Sequence, residues 1–216
     1  QYKEEGMNLY EKVPEAVIRR MPKYYRYLSE KMLMGEERIS SFHMSEELGL
    51  NASQIRQDLN CFGEFGQQGY GYNIKRLRDE IAHILGLDGT YRVAIVGAGN
   101  IGRALISYCG FACKDFRITG IFDVRQELIG QKVNGCEIRH VDTLEAFVKE
   151  NQIDLGIICT PKQAAQSTAA LLCRLGIRGI WNFAPVDVAV TGNVQVENVH
   201  LSDSLYVLLY HMGQNL

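Results

Sequence analysis

The run Val93-Ala94-Ile95-Val96-Gly97-Ala98-Gly99-Asn100-Ile101-Gly102 sets three glycines at the spacing of a phosphate-binding turn, directly after four apolar residues. Each glycine has its own physical task. Gly97 permits a tight turn out of a strand, Gly99 lets backbone approach a pyrophosphate, and Gly102 lets the next helix lie close on the sheet. The phosphates would face the free N–H groups and positive dipole end of that helix. Spacing alone is a weak signal. Here an apolar strand precedes the glycines, a helical pattern follows them, and Asp123, with Val124 beside it, ends the next apolar run at the distance such sites require. A carboxylate there accepts hydrogen bonds from both hydroxyls of an adenine ribose and repels a 2′-phosphate, which favours NAD(H) over NADP(H). Arg125 is read as a solvated loop charge.

Two further segments fall where a ligand of this kind lies. Thr160 and Pro161 end a later apolar run, and Trp181-Asn182-Phe183-Ala184-Pro185 ends the one after it. Asn182 would hydrogen-bond a carboxamide, and Phe183, Ala184 and Pro185 would form an apolar wall. Such a wall discriminates by charge, because oxidised nicotinamide is a cation and the reduced ring is neutral. Burying an unpaired cation is expensive, and each 1.4 kcal/mol of difference is about tenfold in affinity.

The elements that must position these residues follow from periodicity. Residues 92–96, 116–122, 154–159 and 179–183 read as buried strands, and 100–108, 144–150 and 162–175 as the helices between them. That alternation makes an α/β unit with a parallel sheet covered on both faces, a Rossmann domain. Before about residue 88 the pattern is helical instead. Val17, Met21, Tyr24, Leu28 and Met32 recur at three- and four-residue steps. Residues 43–48 and 53–61 form two short helices around Gly49, the second opened by Asn51 as N-cap with Gln54 three positions on. Two short helices on a tight turn make a helix-turn-helix. Gly63, Gly66, Gly69 and Gly71 then alternate with aromatic residues, the pattern of a hairpin wing, and 74–85 is helical again. We expect three segments: 1–86 a winged-helix DNA-binding domain, 87–198 the NAD(H)-binding domain, and 199–216 a C-terminal helix rich in leucine.

Composition bounds the class. Hydrophobic residues make up 46% of the 216 and charged residues 22%, an ordinary globular balance. No apolar run reaches the roughly 20 residues that cross a bilayer, and the polar first residues carry no signal-peptide core. Six scattered cysteines without a CxxC pair suggest reduced thiols in cytoplasm and no metal site. Net charge is −2, and residues 1–85 hold 12 Lys and Arg against 13 Asp and Glu. Any DNA contact must therefore rest on where charges lie rather than on their sum.

Five segments in order carry a resemblance that runs from about Val13 to the C-terminus. They are Tyr24-Tyr25-Arg26-Tyr27-Leu28, Gln54-Ile55-Arg56-Gln57-Asp58-Leu59, Gly63-Glu64-Phe65-Gly66, Gly69-Tyr70-Gly71-Tyr72 and Asn182-Phe183-Ala184-Pro185. On these the chain resembles the Rex family of redox-sensing transcriptional repressors. The resemblance implies a homodimer that holds operator double-stranded DNA with NAD⁺ and leaves it when NADH binds. It implies that Ser53, Gln54, Arg56 and Gln57 lie on the recognition helix and that the wing tip, Gly66, Gln67, Gln68, Gly69 and Tyr70, enters a minor groove. It places Tyr108 on the nicotinamide side and exchanges the last helix, with Leu205, Leu208 and Leu209, between subunits.

The chain departs from the family pattern at three places. Gln57 stands where a lysine is common, and Gln67 and Gln68 stand at a wing tip that is often basic, so a shallower salt dependence is expected. His200 stands where an aspartate commonly faces the counterpart of Arg26; either Asp203 takes that role or His200 makes the link depend on pH. The rival readings are an NAD-dependent dehydrogenase and a CoA-binding module. Against the first, no substrate domain is evident, no YxxxK pair falls within residues 87–198, and His140 lacks an evident acidic partner. Asp123 counts against the second.

Overall fold

The computed structural model describes residues 13–63, 66–67, 70–112 and 115–214, with 66, 67 and 109–112 described as backbone only. Two compact units divide between Asp88 and Gly89.

In the first unit, α1 (Glu15–Ile18) and α2 (Met21–Leu33) precede a short strand β1 (Arg38–Ile39), followed by α3 (Ser41–Leu48) and α4 (Ala52–Asn60). Strands β2 (Gly66–Gln67) and β3 (Gly71–Asn73) form the wing, with β1 added on the far edge of β3, and α5 (Ile74–Ile84) closes the unit. Local chemistry sets the ends. Ser40 Oγ accepts from His43 N–H to start α3, Gly49 ends it in the left-handed region, and Asn51 Oδ1 accepts from Ser53 N–H to start α4. Gln54 does not complete the expected capping box; its amide turns inward instead. The helical stripe of α2 and α5 buries Met21, Tyr24, Leu28, Ile74, Leu77 and Ile81 against Met44, Ile55 and Leu59. Met32, expected on that stripe, is exposed. The hairpin tip residues Gln68 and Gly69 lie outside the described residues.

The second unit holds β4 (Tyr91–Val96), α6 (Asn100–Ala112), β5 (Phe116–Asp123), β6 (Lys132–Val133), β7 (Cys136–His140), α7 (Leu144–Asn151), β8 (Leu155–Ile158), α8 (Lys162–Arg174), β9 (Gly179–Asn182), β10 (Gln195–Asn198) and α9 (Leu201–Gly213). They form one sheet of order β10-β9-β8-β4-β5-β7-β6, parallel except for the β6–β7 hairpin. Burial alternates as a doubly covered sheet demands. Val93 and Ile95 of β4 pack in one core with Ile106 of α6, while Ala94 and Val96 pack in another with α7 and α8.

Four strands were expected; the sheet has seven. The missing ones lie at, or next to, the two edges of the sheet. In β7 only Ile138 is fully buried, and in β10 burial merely alternates between exposed and partial, so neither carries an apolar run. Leaving the hairpin aside, the order follows the doubly wound pattern, and the chain reverses its direction across the sheet between β4 and β8. Ligands of such sheets lie at the carboxyl ends of the strands at that point. The last helix is different from the rest. From Leu201 to Gln214 every residue is exposed in the single chain, with Leu205, Leu208 and Leu209 at 51, 54 and 51%.

Candidate cofactor site and nucleic-acid interface

At the switch point a cavity of about 510 Å³ opens beside the ends of β4, β5 and β8, a size suited to a small-molecule ligand. Gly97, Gly99, Asp123, Val124, Thr160 and Pro161 of the expected residues line it. Val96, Arg125, Val141, Cys159, Ala164 and Thr168 complete the lining. Val141, Cys159, Ala164 and Thr168 were not singled out as site residues in the sequence, because they are ordinary apolar or small residues that only strand order brings to one place.

The glycines divide as the motif requires. Gly97 sits at φ +108°, and a Cβ on it would lie 2.4 Å from the carbonyl oxygen of Cys159. A Cβ on Gly102 would lie 2.0 Å from the carbonyl oxygen of Gly97, so α6 approaches the turn as closely as backbone allows. Gly99 differs: among the described residues, its chain neighbours aside, nothing lies within 4 Å of its Cβ position. No internal packing demands glycine there, whereas a group seated on the turn would. Asn100 and Ile101, exposed in the first turn of α6, begin the helix whose leading N–H groups have no intrahelical partner. A second feature belongs to a residue in the lining of the same cavity. The hydroxyl of Thr160 is buried and has no hydrogen-bond partner, which is costly unless a ligand or water supplies one. These features fit a dinucleotide.

Asp123 is 7% exposed and heavily bonded. Its Oδ2 accepts from the Ala98 N–H at 2.7 Å and from Arg125 Nη2 at 3.1 Å, and its Oδ1 accepts from the Arg125 N–H at 2.9 Å and from Arg125 Nε at 3.1 Å. Burial on its own would raise the carboxyl; the Arg125 guanidinium and the two backbone N–H groups outweigh it and hold the group at about 2. Arg125, read as a solvated loop charge, is half-exposed but folded back on Asp123. Cys159 faces no charge, and burial pushes its thiol up to about 12, which keeps it protonated and unreactive.

The expected nicotinamide wall takes a different form from the sequence reading. Asn182 is wholly buried, and its amide donates to the carbonyl of Val186 at 2.7 Å and to Asn198 Oδ1 at 2.8 Å while its Oδ1 accepts from the Ala184 N–H at 3.0 Å. Both amide hydrogens are spent, so Asn182 builds the loop and is not a free partner for a carboxamide. Ala184 is buried and Phe183 half-buried, its ring 4.6 Å from that of Trp181. Tyr108 is exposed on α6. Neither it nor this loop lines the cavity in the single chain. His140 does have an acidic partner: Asp142 Oδ2 lies 3.1 Å from Nδ1. His200 pairs with Asp187 at 2.7 Å.

In the first unit the face of α4 away from the core carries Ser53, Arg56 and Gln57, all exposed, and Arg56 Nη1 donates to Ser41 Oγ at 3.1 Å. Tyr70 is 70% exposed beside the wing, with the Arg38 guanidinium 5.9 Å from its ring centre. Gln54 points the other way. Its amide donates to Asp58 Oδ1 at 2.8 Å, and Asp58, wholly buried, also accepts from Tyr24 Oη at 2.7 Å and from the Arg20 fork at 2.6 and 2.8 Å. Burial opposes ionisation of Asp58, but these donors win and its carboxyl is lowered. This network bolts α4 to α2. One hint was legible beforehand, an aspartate at an otherwise apolar helical position.

Against known proteins, residues 12–60 match a family model described as "Putative DNA-binding protein N-terminus" and residues 88–186 one described as "CoA binding domain". The chain is 53% identical over 209 residues to a redox-sensing transcriptional repressor Rex of Clostridium beijerinckii, covering 97% of this chain and 99% of that one. It is 51% identical over 203 residues to the Rex of Thermoanaerobacter pseudethanolicus, covering 94% and 91%. The crystal structure of RSP in complex with β-NAD⁺ and operator DNA superposes with a TM-score of 0.88 at 51% identity over 94% of both chains. That of RSP with β-NADH gives 0.86 at 48% over 94% and 96%. Identity of this level across nearly the full length, on the same two units, leaves one conclusion: the chain belongs to the Rex family of redox-sensing transcriptional repressors.

Proposed function

We propose that the chain is a DNA-binding repressor that senses the NADH/NAD⁺ ratio, holding operator DNA with NAD⁺ or no ligand and releasing it when NADH binds. The observation that carries this is the open space over Gly99 beside the partnerless Thr160 hydroxyl, at the switch point of a sheet. Residues 87–198 act as the sensing domain. Gly97, Ala98, Gly99, Asn100, Ile101 and Gly102 form the turn and helix start that meet the pyrophosphate. Asp123 and Val124 meet the adenosine, and Thr160 and Pro161 the adjoining ribose. Asn182 holds the loop that presents Phe183 and Ala184, and with Tyr108 these make the nicotinamide side. When bound, the dinucleotide supplies a ring whose charge depends on its redox state, and an apolar surround favours the neutral form.

Residues 1–86 act as the DNA reader. Ser53, Arg56 and Gln57 face a major groove, Gln54 braces them from within, and Gly66, Gln67, Gln68, Gly69 and Tyr70 form the wing. Residues 199–216 act as a dimerisation helix exchanged between two copies; a helix exposed on all sides with leucines at half their full area demands a partner. NADH shifts the dimer between two arrangements only as far as it prefers one of them. A coupling of about 1–3 kcal/mol gives a 5- to 150-fold response. We place the protein in the cytoplasm, in keeping with four unpaired cysteines among the described residues. No described helix is long and apolar enough to cross a membrane.

We read the chain as a regulator and not as a dehydrogenase, since relatives matching nearly its whole length are named transcriptional repressors and His140, although paired with Asp142, is not among the residues that line the cavity; a turnover screen with simple alcohols and hydroxy acids tests this. CoA, suggested by one family description, carries a ribose phosphate that an ionised Asp123 repels, and a thermal-shift comparison of NADH with CoA checks that point. The central test is operator binding at fixed salt with NAD⁺ and with NADH. Weaker binding with NADH is expected, and identical curves refute the sensor.

A further inference from the structure

The Asp123 carboxylate has two oxygens and four acceptor positions, and all four are filled by the chain itself. One on each oxygen belongs to the fold: the Ala98 N–H on Oδ2 and the Arg125 N–H on Oδ1 fix the carboxylate against the glycine turn. The other on each oxygen belongs to the Arg125 fork, Nε on Oδ1 and Nη2 on Oδ2, both at 3.1 Å. A ribose offers a vicinal pair of O–H donors, and the positions open to it are the two that the fork holds. We infer that Arg125 is an intramolecular competitor for the ribose end of the site: it sets how tightly both redox forms bind and leaves the choice between them unchanged.

This rests on the dinucleotide reading given above. Binding is then an exchange. The backbone bonds to Asp123 stay, the guanidinium swings off, and the diol takes its place. The swing is possible because the Arg125 side chain is 48% exposed, while the carboxylate it leaves is 6% exposed and stays fixed. Among the described residues that line the cavity, Arg125 carries the cationic side chain. Once displaced it therefore tempers the repulsion between Asp123 and a 2′-phosphate. Its second effect is to narrow the discrimination between NADH and NADPH.

The test titrates the full chain and its Arg125→Ala variant with NADH, NAD⁺, ADP-ribose and NADPH at one salt concentration, with melting curves to establish that the variant is folded. A half-exposed ion pair lost from the free state predicts tightening of about 2- to 5-fold for NADH, NAD⁺ and ADP-ribose, by one common factor. NADPH is expected to bind the variant more weakly than the wild type. Arg125→Lys, which cannot fork across both oxygens, falls between. The inference is overturned if Arg125→Ala weakens or does not change NADH binding, or if NADH and NAD⁺ shift by different factors. A wild-type chain that binds NADH but fails these comparisons sinks the competitor alone. A wild-type chain that binds neither NADH nor ADP-ribose sinks the dinucleotide reading with it.

Discussion

Replacing Gly99 and, separately, Gly102 by alanine adds the same methyl group to two glycines three residues apart, and the structure gives the changes opposite costs. At Gly102 the methyl would sit 2.0 Å from the Gly97 carbonyl oxygen and 3.2 Å from its carbon. Both atoms are backbone, so α6 must lift from β4. Overpacking of this kind costs about 1–3 kcal/mol, and the better helix propensity of alanine returns about 1 at most. Gly102→Ala is therefore destabilised. At Gly99 the methyl meets no atom of the described residues within 4 Å, its chain neighbours aside, and the backbone there is not in the left-handed region. Gly99→Ala should keep wild-type stability within about 0.5 kcal/mol. The methyl occupies the space through which phosphate oxygens would reach the backbone N–H groups. One lost hydrogen bond to a charged group is about 1.5–3 kcal/mol, or roughly 10- to 150-fold in affinity. Thermal melts read the first quantity and a fluorescence titration with NADH the second. Unchanged NADH affinity in a folded Gly99→Ala would refute the placement of pyrophosphate on this turn, and a Gly102→Ala that melts with the wild type would refute the packing argument.

The remaining predictions concern the reader and the dimer. Asp58→Asn removes a wholly buried charge from the Arg20–Tyr24–Gln54 cluster; since Arg20 retains some water contact, the loss should be about 2–4 kcal/mol by urea unfolding, with faster hydrogen exchange in α2 and α4. The folded carboxyl titrates below its unfolded value, so its contribution is present above about pH 4 and fades as pH falls through the folded pKa. The stability gap between wild type and Asp58→Asn should accordingly narrow in acid, and a gap that widens would contradict the sign. Arg56→Ala should weaken operator binding about 5- to 150-fold and flatten the salt slope; unchanged gel-shift affinity would remove Arg56 from the interface. Leu208→Asp should convert the dimer to monomer in sedimentation, and a persistent dimer would place the contact elsewhere.

How far the sequence went depends on the range of the forces involved. Local rules placed the cap at Asn51, the stop at Gly49 and the glycine turn at 97–102, because each is settled by a residue's own backbone preference or a bond spanning two or three positions. Apolar periodicity found the central strands, since a strand buried on both faces must be continuously apolar. It missed β7, next to one edge of the sheet, and β10, at the other, where little burial is asked for.

What needed the tertiary structure was every pairing between distant residues. Nothing in the spacing of Arg20 and Asp58, 38 positions apart, announces a salt bridge. Nothing in Asn182 says that its amide is consumed by Val186 and Asn198 rather than offered to a ligand. Arg125 is the sharpest case. The sequence sets it two positions after Asp123, but whether a flexible cation reaches into solvent or folds onto that carboxylate depends on how deeply the fold buries Asp123. Residue type and short-range spacing thus determined which chemistry the chain carries; burial, which only the assembled sheet creates, decided which of those groups remain free to use it.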